Sequence, residues 1–424
     1  MFILELDIVA RQRAGVHRIL MKSLEKLQKI IESDPTEKKN IGSFTAIHTN
    51  PVVTHNLFHY LNKNLVDKKG YKSLALFEKE LDKFFKKMFD NQDGATIVTS
   101  GSTESVLLAF HYAREKAREE KKITKPNILI PESAHYSLGR CARMIGLEVR
   151  TIPVNSEGQV DVEEVRREVD KNTILIVGVL VTTELGIVDD LVALDNIAKA
   201  NNTEIHVDAA IGGFIIPYLE TGLKYKFSQL TSMASMNISG HKFGLSLCGC
   251  GILMLRDKKI TEKYTEEIAY LASGSKRMDN FMVTSSALGL FSMYANVFLY
   301  GVRGYKQFAR KYMKTKKELL KKLTNLGIDC FPGNEFSPHV FMYVDDIEKL
   351  SELLETKGWV QHVYKAKGFK YPGIRVVIKK GQNKRLLTEF VDDVKLYVEK
   401  YRKVHRRAHV VQTPVVVVAA TKIN

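Results

Sequence analysis

The most chemically pointed feature of this 424-residue chain is a lysine set among small residues, Lys242 in the segment NISGHKFGL. Gly240, Phe243 and Gly244 around it predict a close-packed turn, and a desolvated lysine loses basicity and becomes an amine nucleophile able to form a Schiff base. Upstream, Asp208 closes the apolar run IHVD and is followed by Ala209 and Ala210. A carboxylate is costly to bury without a partner, and a pyridinium N–H is one such partner, with the two alanines leaving room for a flat ring. His135, in ESAHYSLGR, carries a flat imidazole able to stack on that ring. Ser100-Gly101-Ser102-Thr103-Glu104 stands between a strand pattern and a helix pattern. Free N–H groups and the helix dipole favour an anion there, with the Ser102 and Thr103 hydroxyls as added donors. Singly, each feature has an ordinary reading, such as a helix N-cap or a surface histidine. Together they form an ordered set in which each member falls near the end of a strand, where open α/β sheets bind ligands.

The elements that must position this set alternate from residue 94 onward. ATIVTSG, NILIPE, LEVRTIPV, TILIVGVLV, TEIHVDAA and GCGILMLRD read as strands, and the segments opening at Thr103, Tyr136, Asp161 and Leu191 read as helices. The continuous apolar run TILIVGVLV is expected of a strand covered on both faces, so a mainly parallel sheet follows. Before residue 94 the patterns are helical, with Leu74, Leu76, Phe77, Leu81, Phe84 and Phe85 assigned to one face. Beyond about residue 281 a helix runs to Gly301 and a second follows, then HVFMYV and IRVVI as strands between further helices. The divisions expected are an N-terminal helical segment over 1–50, a large domain over 51–305, and a small C-terminal α+β domain over 306–424 ending in an apolar tail.

Composition excludes several classes. The net charge of +16 comes from 64 Lys+Arg against 48 Asp+Glu, with the lysine runs on the outer faces of helical patterns. No nucleic-acid-binding module is legible, so neither a nucleic-acid nor a membrane partner is expected. No stretch approaches the ~18 apolar residues of a membrane span. The opening MFILELDIVARQR lacks the layout of a signal peptide, and four scattered cysteines make neither a disulfide framework nor a zinc spacing, which leads to the expectation of a cytoplasmic protein.

The segments TSGSTES, SAHYSLGR, VTTELGIVDDL, IHVDAAIGGFIIPYL and SGHKFG resemble those of the group II decarboxylases, which depend on pyridoxal 5'-phosphate (PLP). TTELG-x-VD and HVDAA-x-GG are most similar to the archaeal tyrosine/aspartate decarboxylases, while SAHYS and SGHK are also similar to histidine and serine decarboxylases. The resemblance implies PLP fold type I (aspartate-aminotransferase-like), an α/β architecture with a mainly parallel seven-stranded sheet in the large domain. It implies that Lys242 carries the cofactor and Asp208 faces the ring nitrogen, with Ala210 packing at the ring and His135 stacking on it. Gly101, Ser102 and Thr103 then form the phosphate loop with His241 nearby, Ser239 also binds the cofactor, and Thr183 lies near the phenolic oxygen. Arg375 binds a substrate carboxylate, and Tyr270, on a mobile loop, is a candidate proton donor, as are Lys242 and His135. The activity implied is decarboxylation of an L-amino acid in a homodimer with its site between subunits. A lyase or aminotransferase on the same fold, and a non-catalytic binding protein, are the alternatives. The sequence departs from the family where Gly-Ser/Thr-Arg is usual and Val283-Thr284-Ser285-Ser286 stands instead.

Overall fold

A computed structural model describes residues 14–401, apart from 46–49, 266, 269–275, 278, 332, 345 and 366–371. Its centre is a seven-stranded sheet: β1 (Ala95–Thr99), β2 (Asn127–Pro131), β3 (Glu148–Ile152), β4 (Thr173–Val179), β5 (Glu204–Asp208), β6 (Met233–Ser239) and β7 (Gly251–Leu255). The spatial order is β1-β7-β6-β5-β4-β2-β3. Only β7 runs against its two neighbours, and the other four pairings are parallel. The mainly parallel sheet expected from the alternation is therefore present. Every residue of β2, β4 and β7 is buried, because helices cover both faces.

The helices start where their caps dictate. Asp161 accepts from Glu163 N and Glu164 N, and Asp190 accepts from Ala193 N. Gly146, at φ +75°, follows the helix Tyr136–Met144 in the left-handed conformation that glycine adopts most readily. On the helix Lys72–Phe89, Leu74, Phe77, Leu81 and Phe85 are buried as their spacing predicts. Leu76, assigned to the same face, is instead 51 % exposed, since position 76 falls about 200° around the helix from position 74.

A second sheet, antiparallel throughout, carries β10 (Asp329–Phe331), β11 (His339–Tyr343), β12 (Val363–Tyr364) and β13 (Gly373–Val377) in the order β10-β11-β13-β12. A short hairpin, β8 (Glu267–Ile268) with β9 (Lys276–Arg277), lies between the two sheets in sequence. The expected boundary at 305/306 falls inside the helical stretch Leu288–Asn325, which breaks its regular geometry at Gly301 (φ +50°, ψ −169°). At the N-terminus, helix Ala14–Glu32 stops well short of residue 50. Residues 40–42 join the second sheet region through Ile41 N to Val360 O (3.0 Å) and Val377 N to Ile41 O (2.8 Å). The apolar tail lies outside the described residues.

Candidate active site

The parallel strands deliver their carboxyl ends to one edge of the sheet, and the sequence-predicted residues collect there. Asp208 is the last residue of β5, and Ser239 is the last of β6, three residues before Lys242. The Ser100–Thr103 turn follows β1, His135 follows β2, and Thr183 follows β4. Burial takes water away from the Lys242 amine and lowers its pKa to about 8, against the pull of Asp208 and aided by the nearby Arg375 guanidinium. Its Nζ makes no hydrogen bond among the described residues, and lies 5.5 Å from the centre of the Phe44 ring.

Asp208 is 5 % exposed and only half satisfied. Its Oδ1 accepts from Asn237 Nδ2 at 2.8 Å and from Ala210 N at 3.0 Å, while Oδ2 has no donor among the described residues. That open oxygen is where a protonated ring nitrogen would complete the carboxylate. His135 caps the helix Tyr136–Met144, with Nδ1 2.8 Å from Ser137 Oγ, a contact that fixes the ring. Its pKa is lowered by burial first and by the Lys242 charge second. His241 is likewise held below its usual value by burial and Lys242, with Nδ1 donating to Cys250 O at 3.1 Å.

The anion-binding turn is built by close backbone approach. A side chain at Gly251 would lie 2.3 Å from the Gly101 carbonyl carbon, so β7 must present glycine there. At Gly101 itself a Cβ would meet nothing within 4 Å, so open space fronts the N-terminus of the 19-residue helix Ser102–Glu120. Glu104 braces the turn: Oε2 accepts from Ser100 N and Ser100 Oγ, both at 2.7 Å, and Oε1 accepts from Met282 N at 2.9 Å. Two buried non-glycine residues nearby adopt positive φ, Val181 at +83° and Leu245 at +65°. For β-branched Val181 this is a true outlier, of the strained kind that gathers at functional sites.

Arg375, on β13, reaches the same region from the second sheet. Nη1 donates to Thr183 O at 2.8 Å and Nη2 to Gly42 O at 2.6 Å, with the guanidinium 4.6 Å over the Phe44 ring. Its Nε is buried, with no hydrogen-bond acceptor among the described residues. Tyr270 lies outside the described residues. In the segment without the family arginine, Ser285 is held by its backbone, N to Asn64 Oδ1 (3.2 Å) and O from Leu65 N (2.9 Å), and its Oγ is buried without a partner. A surface cavity of about 460 Å³ beside Leu219, Arg310 and Phe336 contains none of these residues.

Sequence reasoning missed Asn237, Glu104 and Phe44. Asn237 had a legible signal, polar residues at alternate positions in MASMNIS, but that polarity also disguised β6 as a loop. Glu104 lay inside the quoted turn without a role, and nothing in the sequence marks Phe44.

An open amine, a half-satisfied buried carboxylate and an uncrowded helix N-terminus together fit a flat, phosphate-bearing carbonyl cofactor. Comparison with known proteins agrees. The conserved domain of pyridoxal-dependent decarboxylases matches residues 34–332. A probable L-aspartate decarboxylase of Archaeoglobus fulgidus is 28 % identical over 389 residues, 91 % of this chain and 100 % of the relative. A probable L-tyrosine/L-aspartate decarboxylase of Methanospirillum hungatei is 30 % identical over 284 residues, covering 67 % and 74 %. Among solved structures, the glutamate decarboxylase of Lactobacillus brevis superposes with a TM-score of 0.83 at 24 % identity, covering 92 % of this chain and 94 % of that one.

Proposed function

The chain belongs to the pyridoxal-dependent decarboxylase family, and on that premise we propose that it removes the α-carboxylate of an acidic L-amino acid, aspartate first, using Lys242 as the amine that carries PLP. The observation that supports this most is the Lys242 Nζ, depressed to about 8 and without a hydrogen bond beside Asp208. When bound, PLP supplies an electron sink for the bond that breaks.

The chain's own residues do the rest. Asp208 Oδ2 holds a proton on the ring nitrogen, which keeps the sink effective. His135, clamped through Nδ1, presents its ring face. Gly101, Ser102 and Thr103, with His241 nearby, would hold the phosphate, Ser239 would add a cofactor contact, Ala210 would leave room for the ring, and Thr183 would stand near the phenolic oxygen. Each of the two Arg375 terminal nitrogens keeps a further N–H beyond its backbone contact, and these are the donors for a substrate carboxylate. Aspartate comes first because it is the substrate common to the names of both relatives. Tyr270, Lys242 and His135 remain the candidates to return a proton to Cα.

The protein acts as a homodimer in this reading. Phe58, Leu61, Phe281, Met282 and Val283 are exposed large apolar groups, and Met282 is tied through Glu104 to the anion-binding turn. A second copy laid on this face would close the site. The test is CO2 release by the PLP-loaded protein from aspartate, glutamate and tyrosine, with light scattering to give the mass. Release from aspartate by a dimer is expected. A preference for tyrosine contradicts the aspartate reading, and a fully active monomer contradicts the dimer.

A further inference from the structure

Strand β6 lies inside the sheet yet carries Ser235, Asn237 and Ser239, each at most 2 % exposed. Buried polar groups must find partners, and those of Asn237 are specific. Its Nδ2 lies 2.8 Å from Asp208 Oδ1 and 2.5 Å from Ser102 Oγ, and its Oδ1 lies 2.8 Å from His206 Nε2. His206 is fully buried on β5, with Nδ1 2.7 Å from Ser235 Oγ.

Donor and acceptor roles in this chain are fixed by chemistry. The Asn237 amide cannot be turned over, because its carbonyl oxygen would then face the Asp208 carboxylate. Asn237 Oδ1 therefore accepts, so His206 carries its proton on Nε2. Burial lowers the His206 pKa to about 4, so the ring is neutral near pH 7 and Nδ1 accepts from the Ser235 hydroxyl. At the other end, both amide protons of Asn237 are used, one on Asp208 and one on Ser102. Ser102 Oγ accepts from Asn237, so its own proton is free to be donated to an anion.

We propose that Asn237 is a positioning residue that sets two cofactor contacts from one amide, the carboxylate facing the ring nitrogen and the hydroxyl facing the phosphate, with His206 holding the amide in place. This rests on the PLP reading of the site. In PLP the nitrogen and the ring carbon that bears the phosphate arm are separated by a single ring carbon, so Asp208 and Ser102 must be held at one spacing. Asn237 is the only side chain among the described residues that hydrogen-bonds both.

The experiment is an equilibrium titration of the apoprotein with PLP and, separately, with pyridoxal, which lacks the phosphate. Asn237→Ala is expected to weaken PLP binding about tenfold or more, since a hydrogen bond to a charged group is lost along with one to Ser102. It should weaken pyridoxal binding less, because only the Asp208 contact then remains, and Ser102→Ala should affect PLP alone. The double variant Asn237→Ala/Ser102→Ala should lose less than the product of the two single effects. A purely structural role predicts the full product and an equal loss for both ligands, and either result overturns the proposal. Should Asn237→Ala fail to fold, His206 carries the test. His206→Leu should weaken PLP binding, and His206→Gln, whose amide N–H can still reach Asn237 Oδ1, should restore it to within a few-fold. Equal weakening by the two His206 variants overturns the proposal. A wild-type chain that binds no PLP removes the cofactor reading itself, whereas wild-type binding matched by Asn237→Ala removes only this inference.

Discussion

Two regions of the molecule hold buried lysines of reduced basicity, and they differ in what surrounds the amine. At the sheet edge, Lys242 is lowered to about 8 and its Nζ makes no hydrogen bond among the described residues. Where the second sheet region meets its neighbours, burial lowers Lys316 to about 7 and Lys379 to about 8. Those two amines are spoken for: Lys316 Nζ donates to Asn334 O (2.7 Å) and Ser337 Oγ (3.1 Å), and Lys379 Nζ to Ser43 O (2.6 Å) and Thr45 O (3.2 Å). Reduced basicity alone would select Lys316. Unused hydrogen-bonding capacity selects Lys242, and the same criterion selects Asp208 Oδ2. A lysine clamped to carbonyls ties segments together, whereas an open one waits for a ligand.

The comparison can be broken most sharply at Lys242. Lys242→Ala is expected to reduce CO2 release to background and remove the visible absorbance of the bound cofactor, both read on the reconstituted protein. Lys316→Met should leave that absorbance in place, and if it does not, the distinction between the two lysines fails.

Arg375 tests the boundary between the regions, because it is partly clamped and partly open. Arg375→Lys loses the planar fork, and the KM for the amino acid is expected to rise on the order of 10- to 100-fold with a smaller change in kcat. A fall in kcat alone, measured by steady-state kinetics, would place Arg375 with the clamped groups.

The pH behaviour sharpens the contrast further. Only the neutral amine attacks, so the rate of covalent PLP attachment should climb about tenfold per pH unit below pH 8 and level off above it, following the Lys242 value. The smallest effect is on stability. All three lysines have folded pKa values below the ordinary 10.5, so the unfolded chain holds more protons above about pH 7. The three lysines therefore contribute stability that rises with pH from about 7 toward 10. Lys316→Met should flatten that rise, as followed by urea unfolding at several pH values. An unchanged slope would mean that Lys316 keeps its ordinary basicity.

The reach of the sequence follows from what each residue faces. β4 was legible because helices cover both its faces, so all seven residues are buried and all but Thr173 are apolar. Lys242, Asp208, His135 and the Ser100–Glu104 turn were legible because their residue types are costly or unusual where strands end. β6 was not, because its alternate residues face His206, Asp208 and Ser102 rather than apolar neighbours, and a polar strand reads as a loop. The two short strands β10 and β12 carry too few residues to show a period. Arg375 was found through resemblance, but its clamps on Gly42 and Thr183 depend on segments far apart in sequence, and no local pattern encodes them.

The most direct test is to load the protein with PLP, reduce it with borohydride, digest it and locate the fixed adduct by mass spectrometry. The account predicts modification at Lys242 alone, abolished by Lys242→Ala. An adduct on Lys316 or Lys379, or none on Lys242, would contradict the claim that the open amine at the sheet edge, rather than the least basic one, carries the chemistry.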